Sequence, residues 1–253
     1  MPDVKTSLAG FQVGLARLDF AAEFVKDKVV LDVACGTGYG SRFLFDRGAK
    51  VVVGGDVSIE ELEAARRFYN KQGVEFLAID AMKLPFADNS FETIVSIETI
   101  EHLERQEDFL AECKRVLKEG GVFVCSTPNR MMSIDEHRKI NPYHVHELTA
   151  TEFRELLSRF FPQVQLYGHI YWRKGERTVR IIMFKVGMKV KAVSPTLYRI
   201  GRLIIGRMLH WRQTQLGEIY DWDELLKGKY PVPSPYVIGS SPIPRDIVAV
   251  VRK

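Results

Sequence analysis

The run Asp32-Val-Ala-Cys-Gly36-Thr-Gly38-Tyr-Gly40 follows directly on the apolar triplet Val29-Val30-Leu31. Glycines at alternate positions break a strand and let the backbone come close to a ligand at a helix N-terminus. Such a loop needs a buried strand before it and a helix after it. The rest of the first 165 residues supplies more of that alternation. Strand signals recur at Val51–Val53, Val74–Ile79, Phe91–Ile97 and Val122–Ser126. Ser58 with Glu61 and Thr149 with Glu152 have capping-box spacing and open helices at 59–72 and 150–161. Phe109, Cys113, Val116 and Leu117 form an apolar stripe along a helix over 105–118. QVQLYGHIYW and IPRDIVAVVRK supply two further strands. Strands alternating with helices predict βαβ units, hence an α/β fold with a doubly wound, seven-stranded, mostly parallel sheet. The length of 253 residues fits a single domain spanning 1–253.

In such a sheet, ligands sit at the carboxyl ends of the strands. The loop spacing is GxGxG, with Ser41 where a dinucleotide fingerprint would need a third glycine, and no GxxxxGK[ST] occurs. Asp32, before the loop, would repel a pyrophosphate and attract an ammonium. Asp56 and Asp80 follow the second and third strands, placed to accept from a ribose and from an adenine amino group. Three acids at consecutive strand ends favour a cofactor with a cationic amino-acid end, although each alone reads as a solvated loop residue. A nicotinamide dehydrogenase is thereby disfavoured.

The ordered runs VLDVACGTGYG, Asp56, Asp80-Ala81, FETIVSIETIEHL and LKEGGVF resemble the motifs of the class I S-adenosylmethionine-dependent methyltransferases over about residues 28–165. The resemblance implies a Rossmann-like methyltransferase fold with 28–165 as the cofactor-binding core. It implies that Asp32 and the Gly36/Gly38 backbone hold the methionine part and Asp56 the ribose, with Ala34 and Val57 as further cofactor-binding residues. Asp80 and Ala81 would take the adenine, and Ile97 would line the pocket. Ala34 replaces the family's usual first glycine. Arg17 occupies a place similar to a carboxylate-binding arginine in ubiquinone-biosynthesis O-methyltransferases; its alternative is a solvated helix arginine. A degenerate methyltransferase that only binds the cofactor is disfavoured, because the cofactor positions look intact.

Glu98-Thr-Ile-Glu101-His102 follows the fourth strand, and Asn141-Pro-Tyr-His144-Val-His146-Glu147 comes later. If a helical turn starts at Glu98, then Glu98, Glu101 and His102 share one face. ExxEH with a later histidine resembles the divalent-metal site of small-RNA 3′-end 2′-O-methyltransferases, and a similar ExxEH occurs in ubiquinone-pathway O-methyltransferases. That resemblance makes Glu98, Glu101, His102 and His144 candidate ligands, and Glu101, His102 and His144 candidate catalytic residues. The O/N donor set suits Mn²⁺, Fe²⁺, Co²⁺ or Zn²⁺, with Mg²⁺ less natural. The alternative is a metal-free pocket with His102 as base or wall residue. The expected reaction is methylation of a hydroxyl on a small or lipid-linked metabolite; N- or C-methylation and RNA 2′-O-methylation are the alternatives.

The net charge of +4 conceals an asymmetry. Between Arg173 and Arg212 eleven Lys and Arg face one acid, Glu176, so this segment stands at +10 and the rest at −6. The region 173–240 lies between the last two strands as a helical lid over the acceptor, ending in Pro231, Pro233, Pro235, Pro242 and Pro244. Ile200, Ile204, Met208 and Trp211 share a helical face. The charge over 173–212 fits an anionic membrane surface or a phosphorylated substrate. Nucleic acid is disfavoured as a partner, because no RNA-binding module accompanies the charge. Three cysteines without CxxC spacing, no spanning apolar run and no secretory leader pattern point to a cytoplasmic setting.

Overall fold

Short valine-rich runs, too brief for helices and too apolar for loops, become the strands of one sheet. The computed structural model describes residues 8–133, 142–169, 234–235 and 246–253. Its strands are β1 (Val29–Val33), β2 (Val51–Asp56), β3 (Val74–Ala78), β4 (Phe91–Ile97), β5 (Leu117–Pro128), β6 (Gln163–His169), the two-residue β7 (Ser234–Pro235) and β8 (Asp246–Arg252). They lie in the order β3-β2-β1-β4-β5-β8-β6-β7. β1 to β5 pair parallel, and β8 runs antiparallel between β5 and β6. Apart from the short β7 edge, this is the expected seven-stranded, mostly parallel sheet. Residues of β1, β5 and β8 are buried almost without alternation, as a sheet covered on both faces requires.

The helices are α1 (Leu8–Ala21), α2 (Tyr39–Asp46), α3 (Ile59–Tyr69), α4 (Gln106–Val116), the short α5 (Arg130–Ser133) and α6 (Ala150–Ser158). One core cluster joins Leu31, Val33, Ile94, Phe123, Ile247 and Ala249 of the sheet to Phe109 and Cys113 of α4 and Phe153 and Leu157 of α6. Successive strand residues face opposite sides, so Asp32 faces away from that cluster, toward α2. Thr149 and Glu152 close a reciprocal capping box at α6, whereas at α3 Ser58 accepts from the Glu61 amide.

Several boundaries differ from the sequence reading, these among them. α3 stops at Tyr69 because Asn70 is extended, with ψ 127°. Leu117, read as the last residue of a helical stripe, is extended with ψ 133° and starts β5. β5 thus begins five residues earlier than Val122 and carries Gly120 at φ +72°. The basic region 173–240, apart from Ser234 and Pro235, lies outside the described residues. Its apolar stripe and lid role lie there too. Among the described residues no helix is long and apolar enough to cross a membrane.

Candidate functional site

The parallel register aligns the carboxyl ends of β1, β2 and β3, pairing Val33 with Gly55 and Asp56 with Ala78. Asp32, Asp56 and Asp80 therefore come to one edge of the sheet. Asp32 is 4% exposed and accepts a 2.6 Å hydrogen bond from the Ser41 hydroxyl. Burial pushes its carboxyl up to about 7, against the lowering effect of Ser41, and the charge of Asp56 raises it further. One Asp56 oxygen accepts from the Gly36 amide at 2.8 Å, and the other from the Ser58 amide at 2.9 Å. An ionised carboxylate has about four acceptor positions, so both oxygens retain capacity for a ligand hydroxyl. Asp80 is exposed and accepts from the Met82 amide.

The loop between β1 and α2 winds through the left-handed region at Ala34, Gly36 and Gly38, with φ of +60°, +51° and +83°. A side chain at Gly38 would lie 2.6 Å from Ala65 and Phe76, whereas at Gly36 there is open space. Gly38 is thus required by packing, and the room beside Gly36 suits a ligand. Gly38→Ala should lower stability by about 3 kcal/mol, combining backbone strain with overpacking, as measured by urea unfolding. Val57 and Ile59, 79% and 55% exposed, provide an apolar shelf beside Asp56.

The expected helical turn at Glu98 does not form there. Glu98 has φ +56°, Thr99 has φ −122°, and a 3-10 turn starts only at Ile100. Glu98 is therefore out of phase with Glu101 and His102, and it belongs to a different group. Its Oε1 accepts from Ser126 Oγ at 3.0 Å and lies 3.2 Å from Arg17. Arg17, on α1, also meets Asp246, at the start of β8, at 3.0 Å. Arg17 is 6% exposed, so it is not a solvated helix arginine; it joins α1 to the ends of β4 and β8.

Glu101, His102 and His144 do meet. One ligand atom from each lies within 4.8 Å of the others. Glu101 is wholly buried, with Oε2 accepting from the Thr127 hydroxyl at 3.1 Å. Its Oε1 has no hydrogen-bond donor among the described residues and lies 4.0 Å from His102 Nε2. Burial, and then the Glu98 charge, push its carboxyl up to about 8. The imidazoles of His102 and His144 pack edge to face, centroids 4.8 Å apart. A buried acceptor oxygen without a donor is costly, and a cation or a substrate hydroxyl would satisfy it.

The family described as methyltransferase domain matches residues 31–125. A probable S-adenosylmethionine-dependent methyltransferase of Mycolicibacterium smegmatis is 40% identical over 129 residues, 51% of this chain and 49% of that protein. Residues 31–125 thus match a methyltransferase domain, and the matched relatives are S-adenosylmethionine-dependent methyltransferases. A ubiquinone/menaquinone biosynthesis C-methyltransferase of Desulfotalea psychrophila is 40% identical over 97 residues, 38% of this chain and 39% of its own. The chain spans about half the length, or less, of these curated relatives. The methyltransferase domain also shares its fold with a solved S-adenosylmethionine-dependent methyltransferase of Thermotoga maritima, at TM-score 0.59 and 18% identity, covering 94% and 88% of the two chains.

Within the methyltransferase domain, four residues escaped the sequence reading. In sequence Ser41 stands only where a third glycine is missing, yet its hydroxyl donates to Asp32. Ser126 and Thr127 look like ordinary strand residues but anchor Glu98 and Glu101. Glu147 accompanies His144 at 2.5 Å; its i+3 spacing from that histidine was the available signal.

Proposed function

We propose that the protein transfers the methyl group of S-adenosylmethionine to an oxygen of a small or lipid-linked acceptor. The supporting observation is the line of strand-end carboxylates, with buried Asp32 beside a loop open at Gly36. Bound S-adenosylmethionine supplies an electrophilic methyl on a sulfonium. Asp32, Ala34, Gly36 and Gly38 receive the cationic methionine end, and Asp56 accepts from the ribose hydroxyls. Val57 and Ala81 flank the adenine, Asp80 accepts from its amino group, and Ile97 closes the wall. These groups align the methyl with its acceptor, and such positioning supplies much of the rate. Asp56→Ala should weaken cofactor binding by about 10- to 100-fold, the loss of charge-assisted hydrogen bonds, without unfolding the protein. Calorimetric titration measures this; unchanged affinity would remove Asp56 from the site.

Glu101, His102 and His144 carry the choice of oxygen. A mixed O/N set around a donor-less carboxylate oxygen fits Mn²⁺, Fe²⁺, Co²⁺ or Zn²⁺, and Mg²⁺ less well. A cation there would lower the pKa of a bound acceptor hydroxyl. Without one, the same imidazoles are placed to take the hydroxyl proton. C-methylation is the second reading, favoured by the name of the Desulfotalea relative. Product analysis after transfer of labelled methyl to candidate acceptors separates C–CH₃ from O–CH₃.

The basic segment 173–212 is proposed to meet an anionic group, either a membrane headgroup or a substrate phosphate. Co-sedimentation with anionic vesicles, weakening as salt rises, is expected if the group is lipid. Absence of vesicle binding would end the membrane version.

A further inference from the structure

Each imidazole of the acceptor site meets an oxygen at its Nδ1. His102 Nδ1 lies 2.8 Å from the Tyr143 carbonyl oxygen. A carbonyl only accepts, so Nδ1 of His102 carries the proton and its lone pair is on Nε2. His144 Nδ1 lies 2.5 Å from Glu147 Oε1, with side chains only 11% and 17% exposed. The segment that holds both partners is tied to the 3-10 turn. The amides of Val145 and His146 donate to the Glu101 carbonyl at 2.9 and 3.1 Å, and Gln106 Nε2 donates to the His146 carbonyl at 3.1 Å. Leu148 bridges to Asn129 after β5. The segment is thus built against the catalytic turn, and Glu147 is a fixed part of it.

We propose that Glu147 is a positioning residue: it accepts the Nδ1 proton of His144 and thereby leaves the Nε2 lone pair for the acceptor site. This rests on the reading of Glu101, His102 and His144 as the group that handles the acceptor. The consequence is symmetrical. His102 and His144 both present unprotonated Nε2 atoms, and Glu101 presents a buried oxygen without a donor. Two imidazole lone pairs facing the buried Glu101 carboxyl form a site for a cation, or for the hydroxyl proton of the acceptor. A carboxylate behind an imidazole fixes its tautomer and ring plane and raises its basicity, and losing such a partner costs about 10- to 100-fold in metal affinity or activity. Without Glu147, an isolated imidazole favours the Nε2–H form, which would turn a proton toward Glu101 and close the site.

The test uses the full chain labelled with ¹⁵N-histidine and a two-bond ¹H–¹⁵N spectrum without added metal, His144 being assigned by difference with His144→Gln. The expected wild-type pattern is a neutral Nδ1–H imidazole at His144. Glu147→Ala should convert it to the Nε2–H form and lower kcat about 10- to 100-fold, leaving S-adenosylmethionine affinity unchanged. Glu147→Gln, whose side-chain oxygen still accepts, should retain the Nδ1–H pattern and most of the activity. Nε2–H, or protons on both nitrogens, in the wild type would overturn the proposal. So would loss of activity in Glu147→Ala with the tautomer unchanged, which marks a merely structural role. Failure of every form to bind S-adenosylmethionine would instead strike the methyltransferase reading, because the tautomer is read without cofactor.

Discussion

Asp32→Asn is expected to make the ligand-free protein more stable at pH 8 while weakening cofactor binding about 100-fold. Burial holds the Asp32 carboxyl at about 7, against the model-compound value of 3.8. A carboxylate whose folded pKa is raised contributes stability that is complete below the unfolded pKa and is lost as pH rises through the folded one. The destabilisation from ionising Asp32 therefore grows between about pH 4 and pH 7 and is full above that window. Its size is about 4 kcal/mol, from roughly three units at 1.36 kcal/mol each. Asparagine keeps an oxygen to accept from Ser41 and has no charge to bury. Urea unfolding at pH 4 and pH 8 should show the variant and wild type close at the lower pH and far apart at the higher. Equal stability at pH 8 would mean that the carboxylate is compensated by something other than ligand. The affinity loss is that of a charge-assisted hydrogen bond to the cationic end of the cofactor.

Glu101→Gln should lower kcat by about 100-fold and leave S-adenosylmethionine affinity within a factor of two of wild type. The amide preserves shape and can still accept from Thr127 Oγ, so the fold is conserved. It places an uncharged amide where the buried Oε1 now faces His102 Nε2 at 4.0 Å. If the site works with a cation, Mn²⁺ binding measured by calorimetry should disappear in the same variant, and chelators should inactivate the wild type. If wild type is indifferent to chelators while Glu101→Gln is still inactive, the imidazoles act as bases without metal. Full activity in Glu101→Gln would remove the whole group from catalysis.

The sheet was legible because parallel strands buried on both faces are written as bare apolar runs, and β4 matched Phe91–Ile97 residue for residue. The line of strand-end acids was legible for a related reason: acids that directly follow apolar strand runs come to one edge of a parallel sheet. The turn after β4 was harder. Reading Glu98, Glu101 and His102 on one face assumed helical backbone from Glu98, but its φ of +56° breaks the phase and sends that carboxylate to Arg17 and Ser126. No periodicity announces a left-handed non-glycine residue. Arg17 and Asp246 are separated by more than two hundred residues, and only the folded chain brings them to 3.0 Å. Leu117 shows the opposite error, a helix-spaced apolar residue that belongs to a strand because the sheet needs it there.

The most direct measurement is calorimetric titration of the full chain with S-adenosylmethionine and, separately, with NAD, repeated on Asp56→Ala. Saturable one-to-one binding of S-adenosylmethionine, none of NAD, and a clear loss of affinity in the variant are expected. No binding of S-adenosylmethionine, or binding equally strong in Asp56→Ala, would contradict the assignment of the strand-end carboxylates as the cofactor site.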